Sequence, residues 1–225
     1  MSEAVDREEQ KKLVAQAALR YLRDDAVVGV GSGSTVNAFI SLLAPWARRL
    51  GGAVAASEAS AERLRAVGVR VLDANSVDEL PVYVDGADEV NEHLYMIKGG
   101  GGALTREKVL AAMARTFVCI CDETKFVAVL GRFPLPVEVI PMARSFVARQ
   151  LARRGLHPVL RERFVTDNGN LILDCHGPAI VDPPALESEL NHIPGVVANG
   201  VFAHRPADVL LLAGARGVQT IARKK

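Results

Sequence analysis

The sequence predicts an α/β protein, a parallel sheet covered by helices on both faces, joined to a smaller α+β unit. Three observations carry this. Short apolar strands alternate with stretches of helical periodicity from Ala26 to Cys121. The strand-like runs, Ala26–Val30 among them, show no apolar/polar alternation, as expected of strands buried on both faces. Near Gly131 the pattern changes, and after a linker within Pro134–Pro141 it reads strand, helix, strand, strand, helix, strand, the order of a ferredoxin-like unit. At 225 residues the chain is long enough for one large or two small domains.

The first helix is read over Arg7–Arg23, where Leu13, Val14, Ala17, Ala18, Tyr21 and Leu22 recur at helical spacing. Lys11 and Lys12 sit in its early turns, where the helix dipole favours acids; a solvated face and a nearby anion both account for them. Ala26–Val30 runs into Gly31-Ser32-Gly33-Ser34-Thr35, and helical periodicity resumes through Phe39, Ile40, Leu42, Leu43 and Trp46. Strands at Ala53–Ser57, Val69–Leu72 and Val82–Asp85 follow, with a helix at Ala59–Val67 between the first two. This succession describes a Rossmann-like sheet, whose ligands bind at the carboxyl ends of strands. Gly31, Ser57, Asp85 and Lys98 all fall at strand ends in this reading.

A helix over Ala103–Arg115 and a strand over Phe117–Cys121 continue the first domain. In the second domain a short strand precedes helix Met142–Arg154. Strand His157–Arg163 is followed by a turn at Thr166–Gly169, where Asn168-Gly169 is a hairpin signal. Strand Asn170–His176, helix Pro183–Asn191 and strand Val196–Ala203 complete it, and Asp208–Ala213 returns to the first sheet. The expected domains are 1–131 with 205–225, and an inserted 132–204. The tail Arg223-Lys224-Lys225 reads as solvated.

A net charge of +1 gives no field that would point to nucleic acid or an anionic membrane. No apolar run has the length of a membrane span. The acidic opening MSEAVDREEQKK lacks the apolar core of a secretion signal. Cys119, Cys121 and Cys175 form no disulfide framework, and a reducing cytoplasm is expected. Cys119 and Cys121 are read as core residues on opposite faces of their strand.

The chemistry concentrates between Val82 and Arg115. Gly31–Thr35 lacks the third glycine of a dinucleotide fingerprint, because Val36 stands there, and lacks the lysine of a Walker loop. Glu58 stands at the wrong distance for a ribose acid. A small-phosphate cradle and an N-capping turn remain as readings of Gly31–Thr35. Asp85-Gly86-Ala87-Asp88-Glu89 gathers three acids, which suits a polyol, a metal or a capped turn. A metal is disfavoured, since no His or Cys is placed as a partner, and His93 reads as a surface residue. Lys98 precedes Gly99–Gly102, a run that suits close approach of backbone to a ligand. Glu107, just over one turn into the next helix, is placed to act as a general base or to form helix pairs. Lys108 reads as solvated. Together these residues predict an acid/base site with all four charged groups at one rim of one sheet.

At these residues the chain resembles the ribose-5-phosphate isomerases of type A. The likeness runs through GVGSGST at Gly29–Thr35, YVDGADE at Tyr83–Glu89 and IKGGGGALTREK at Ile97–Lys108. It continues through FPLPVEVIPMAR at Phe133–Arg144, VTDNGN at Val165–Asn170 and IPGVV at Ile193–Val197. The resemblance implies metal-free, cofactor-free interconversion of D-ribose 5-phosphate and D-ribulose 5-phosphate in the pentose phosphate pathway. It implies Glu107 as proton shuttle, Lys98 as oxyanion stabiliser, and Asp85 and Asp88 as holders of the sugar hydroxyls that assist ring opening. Ser32, Gly33, Ser34, Thr35, Gly86, Ala87, Gly99, Gly100, Gly101 and Lys125 are implied as substrate contacts, with Lys11 a weaker phosphate candidate. A homodimer or homotetramer is also implied. One departure is visible: the family often has alanine near the end of the glycine run, where this chain has Gly102, a change expected to loosen the turn. Related folds leave an amino-sugar-phosphate deaminase/isomerase, a coenzyme A transferase and a non-catalytic sugar-phosphate sensor as rivals.

Overall fold

The computed structural model describes residues 2–223. Lys224 and Lys225, at the end of the expected solvated tail, and Met1 lie outside the described residues. Two compact units emerge. The first takes in the chain through Gly86, Val109–Phe126 and the chain from Ala207 onward; the second is Ala87–Lys108 with Val127–Pro206. The domains expected from sequence place 87–108 in the first and the boundary at 131/132, and the compact units differ from this. Pairing across a long sequence gap draws 87–108 into the second unit, as its strands show below.

The first unit is built on a six-stranded sheet. Its strands are β1 (Val27–Val30), β2 (Gly52–Ala55), β3 (Leu80–Asp85), β6 (Ala114–Asp122), β12 (Val209–Gly214) and β13 (Gly217–Ala222). The order is β13-β12-β6-β3-β1-β2, parallel except for β13. From β1 the chain steps to β2 on one side and then to β3 on the other. That reversal opens a crevice at the carboxyl ends of β1 and β3, the usual ligand position in such sheets. Three helices pack on one face: α1 (Ser2–Ala18), α2 (Ser34–Ser41) and α3 (Glu58–Ala66). Val14, Val36, Phe39 and Leu64 meet alternate strand residues Val28, Val30, Val82, Val84, Val118 and Ile120 there. The other face of the same strands presents Tyr83, Phe117 and Cys119, all fully buried.

Two expectations change here. Val69–Leu72 contributes only an isolated bridge, Val71 to Ala53, rather than a strand. Cys119 and Cys121 do not face opposite ways: residues two apart in a strand share a face. Their sulfurs lie 3.6 Å apart in the core.

The second unit holds two sheets. A four-stranded antiparallel sheet has the order β10-β7-β9-β8, from β7 (Leu135–Val139), β8 (His157–Leu160), β9 (Leu171–His176) and β10 (Val196–Asn199). With α5 (Arg144–Ala152) and α6 (Pro183–Asn191) this is the ferredoxin-like β-α-β-β-α-β arrangement. Val137, Val139, Val147, Leu151, Leu173 and Leu190 form its core. The Asn168-Gly169 step does make a turn, closed by Thr166 N to Asn170 O at 2.9 Å. It sits in a longer loop rather than a two-residue hairpin, because β8 stops at Leu160.

The smaller sheet joins β4 (Glu89–Val90), β5 (Met96–Ile97) and β11 (Val201–Phe202) in the order β11-β5-β4. Lys98 therefore follows a strand of this antiparallel sheet and not a strand of the parallel one, so the four charged groups do not share one sheet rim. Helix α4 (Leu104–Met113) leads from here into β6. Among the described residues, no helix is long and apolar enough to cross a membrane.

Candidate active site

In the first unit, the turn after β1 is fixed from three sides. Gly31 N donates to Val84 O at 2.9 Å, Ser60 Oγ donates to Gly31 O at 2.7 Å, and Ser32 N donates to Asp85 Oδ1 at 3.1 Å. A Cβ at Gly31 would fall 1.9 Å from the Asp85 carboxyl, so only glycine admits this contact. The N-cap of α2 is Gly33, at φ 96°, and no side chain caps the helix. The N-capping reading of Gly31–Thr35 thus loses its basis. Ser34 and Thr35 begin α2, with Gly33 and Ser34 exposed and Ser32 and Thr35 half-buried. An anion at this turn would meet backbone amides, hydroxyls and the positive end of a helix.

Asp85 closes β3 and is fully buried. Its Oδ1 accepts from Ser32 N and Gly86 N, the latter at 2.7 Å, and its Oδ2 accepts a short hydrogen bond from the Tyr83 hydroxyl. Tyr83 escaped the sequence reading, although strand alternation puts it on the same face as Asp85. Gly86 and Ala87 continue the chain as half-buried residues. Lys11 is ion-paired to Glu8 on its own helix at 2.6 Å, its side chain 19% exposed. Lys125 ends the short 3-10 turn Glu123–Lys125 beyond β6 and is half-buried.

In the second unit Lys98 and Glu107 come together. Lys98 Nζ lies 3.3 Å from Glu107 Oε2, with the two side chains 3% and 4% exposed. Lys98 N donates to Gly200 O at 2.9 Å, which fixes where its side chain starts. The ammonium is also 5.5 Å from the centre of the Phe202 ring. Glu107 belongs to the first turns of α4, its amide bonded to Ala103 O.

Between Lys98 and α4, the glycine run is held firmly. Asp88 Oδ2 accepts from Gly100 N at 2.7 Å. The Arg161 guanidinium, paired with Asp174 at 2.5 Å, donates to Gly99 O and Gly100 O. Gly102 N closes the turn onto Gly99 O at 2.9 Å. Gly102 takes φ 84°, and a Cβ there would lie 2.2 Å from the Phe164 ring. Gly102 therefore does not loosen the turn; the backbone and Phe164 require it. Gly100 and Gly101 are exposed.

The three acids of 85–89 each have an amide to hold. Glu89, buried at 3% exposure, accepts from Gly131 N and Phe133 N at 2.8 and 2.7 Å. Among the described residues no three His, Cys, Asp or Glu side chains gather as a metal site would need. Lys108 is not solvated: its ammonium pairs with Glu187 at 2.5 Å, donates to Val201 O and lies 4.1 Å from the Phe202 ring centre. Burial lowers its pKa, against the opposing pull of Glu187. His93 is on the surface as expected, its side chain 66% exposed.

Residues 52–217 match the family model described as ribose 5-phosphate isomerase A (phosphoriboisomerase A). The chain belongs to the ribose 5-phosphate isomerase A family. A ribose 5-phosphate isomerase A from Neisseria gonorrhoeae is 44% identical, with a TM-score of 0.95, over 97% of this chain and 98% of that one. A D-ribose-5-phosphate isomerase solved in complex with phospho-erythronic acid is 38% identical, with a TM-score of 0.93, over 96% and 99%. The Methanocaldococcus jannaschii ribose 5-phosphate isomerase A is 37% identical, with a TM-score of 0.90, over 96% and 99%. Membership in the ribose 5-phosphate isomerase A family makes this chain an aldose–ketose isomerase of ribose 5-phosphate.

Proposed function

We propose that Glu107 and Lys98 carry out the isomerisation of D-ribose 5-phosphate and D-ribulose 5-phosphate as general base and oxyanion stabiliser, through an enediolate and without a metal. The observation that carries this is the buried pair, 3.3 Å between Lys98 Nζ and Glu107 Oε2. In the open-chain aldose, the Glu107 carboxylate removes the proton on C2. Charge then develops on the C1 oxygen, beside the Lys98 ammonium, in a site where low exposure strengthens that interaction. The O2 hydroxyl proton then passes to O1, Glu107 returns the carbon-bound proton to C1, and the carbonyl forms at C2, giving the ketose; the reverse reaction retraces the same steps. Phospho-erythronic acid, the ligand of the related structure, supports the enediolate: its planar carboxylate matches that intermediate in shape and charge.

In the same proposal, Asp85 and Asp88 hold the sugar hydroxyls and assist ring opening. The phosphate goes to Ser32–Thr35 with help from Lys125, and the backbone of Gly99–Gly101 meets the substrate. Gly86 and Ala87 line its path. Lys11 is a weaker candidate, since Glu8 already neutralises it. The enzyme works as a homodimer or homotetramer in the cytoplasm, in the non-oxidative pentose phosphate pathway.

The test is a coupled isomerase assay on Glu107→Gln. Turnover drops by at least ~10²-fold with KM little changed, the scale of losing a general base. Lys98 also loses this counter-charge, so the assay is run at a temperature where the variant is folded. Near-normal turnover would sink the assignment.

A further inference from the structure

Glu138 has no role in the chemistry just described, yet it is fully buried near the end of β7. Four donors converge on its carboxylate. Oε1 accepts from Thr166 Oγ1 at 2.9 Å, Asn168 Nδ2 at 3.2 Å and Asn170 Nδ2 at 2.9 Å. Oε2 accepts a short hydrogen bond from Thr105 Oγ1. These are neutral donors, from two segments remote in sequence: the first turn of α4 and the turn at Thr166–Asn170. A buried carboxylate is an expensive way to fill space, and it stays charged only where such donors satisfy it.

What the carboxylate joins is informative. Thr105 lies two residues before Glu107 in α4. The residue between them, Arg106, reaches the same turn: its Nε donates to Asn168 Oδ1 at 2.9 Å and its Nη2 to Asp167 O at 3.0 Å. Thr166 in turn accepts from the Asn168 and Asn170 amides, so the turn is closed on itself around Glu138. The two side chains that precede Glu107 are therefore both anchored to one assembly, which fixes the start of α4 in rotation about its axis and in translation along it.

We infer that Glu138, through Thr105 and the Thr166–Asn170 turn, is the positioning device that aims the Glu107 carboxylate at the proton it transfers. A rigid helix passes any error at Thr105 directly to Glu107, and misplacement by about 1 Å costs on the order of 10²-fold in rate. Neither Glu138 nor Thr105 touches substrate in this scheme. The inference rests on Glu107 being the general base.

Thr105→Val removes the hydroxyl and keeps the shape; Thr105→Ala removes the hydroxyl and the methyl but is the best helix former, in case the first variant folds poorly. Each is measured alone and in the Glu107→Gln background, for kcat, KM and thermal midpoint. Alone, we expect kcat to fall about 10-fold with KM within about 3-fold, the scale of a partial misplacement. In the Glu107→Gln background, the same substitution is expected to change the residual kcat less than 2-fold, since there is no base left to aim. An equal loss in both backgrounds, or a lower thermal midpoint with kcat intact, overturns the inference. Near-normal kcat for Glu107→Gln alone would instead overturn the general-base reading, so the two failures are told apart.

Discussion

Three donors meet the buried Asp85 carboxylate, and two of them set the start of the Gly31–Thr35 turn and the end of β3. Hydrogen bonds to a charged acceptor are worth about 1.5–3 kcal/mol each, so this one side chain holds the turn in place. Gly31→Ala would drive a Cβ to within 1.9 Å of that carboxyl and force it aside. The expected result is a KM for ribose 5-phosphate raised at least ~10-fold and a loss of ~1–3 kcal/mol in stability, the range for an overpacked core. Steady-state kinetics and urea unfolding would show it; a wild-type KM would mean that Asp85 does not organise the turn. At Cys175, burial first and the neighbouring Asp174 second push the thiol from 9.0 up to about 12. The folded state thus binds the proton more tightly than the unfolded chain. The resulting stability is complete below about pH 9 and is lost as pH climbs toward about 12, by up to about 4 kcal/mol. Urea midpoints near pH 8.5 and 10.5 should fall more steeply for the wild type than for Cys175→Ala; parallel slopes would refute this. Residue identities in the motifs were legible from sequence because local spacing marks them. The Lys108–Glu187 pair was not, because its partners lie 79 residues apart.

The glycine run between Lys98 and α4 behaves as a built element rather than a slack loop. Asp88 takes one of its amides, and Arg161 takes two of its carbonyls while paired to Asp174. Arg161→Met should lower kcat/KM by ~10- to 10²-fold, matching loss of one or two hydrogen bonds from a charged donor at about 1.5–3 kcal/mol each, only part of it felt at the reacting atoms. Kinetics identical to wild type would show that the run needs no such clamp. The helices and parallel strands were readable because period 3.6 and long apolar runs survive in any context. The two-residue strands β4, β5 and β11 are too short to carry a pattern, and β11 pairs with β5 across about a hundred residues. Strand β13 hid for another reason: the hairpin between Gly214 and Gly217 turns on Ala215-Arg216, without an Asn-Gly or Asp-Gly signal.

Over the whole molecule, the chain crosses between its two units more often than its composition reveals. Residues 87–108 look like a continuation of the first domain, yet β5 pairs with β11 a hundred residues later, and this brings Lys98 to Gly200 and Phe202. Sequence periodicity records which segments are strands, but not which distant strand completes a sheet. That is why the fold class was legible while the division into units and the sheet beneath Lys98 were not. The proposed chemistry also makes a demand of the intact enzyme. Its acids are engaged with backbone amides, so activity should survive exhaustive chelation; a loss restored by a divalent ion would contradict the metal-free route. The central claim is that Glu107 carries the proton between C2 and C1, and its most direct test is isotope exchange in heavy water. Wild-type enzyme should place solvent deuterium at C1 of the ketose and at C2 of recovered aldose, and Glu107→Gln should lose exchange and isomerisation together by at least ~10²-fold. Exchange at the wild-type rate in that variant would contradict the account.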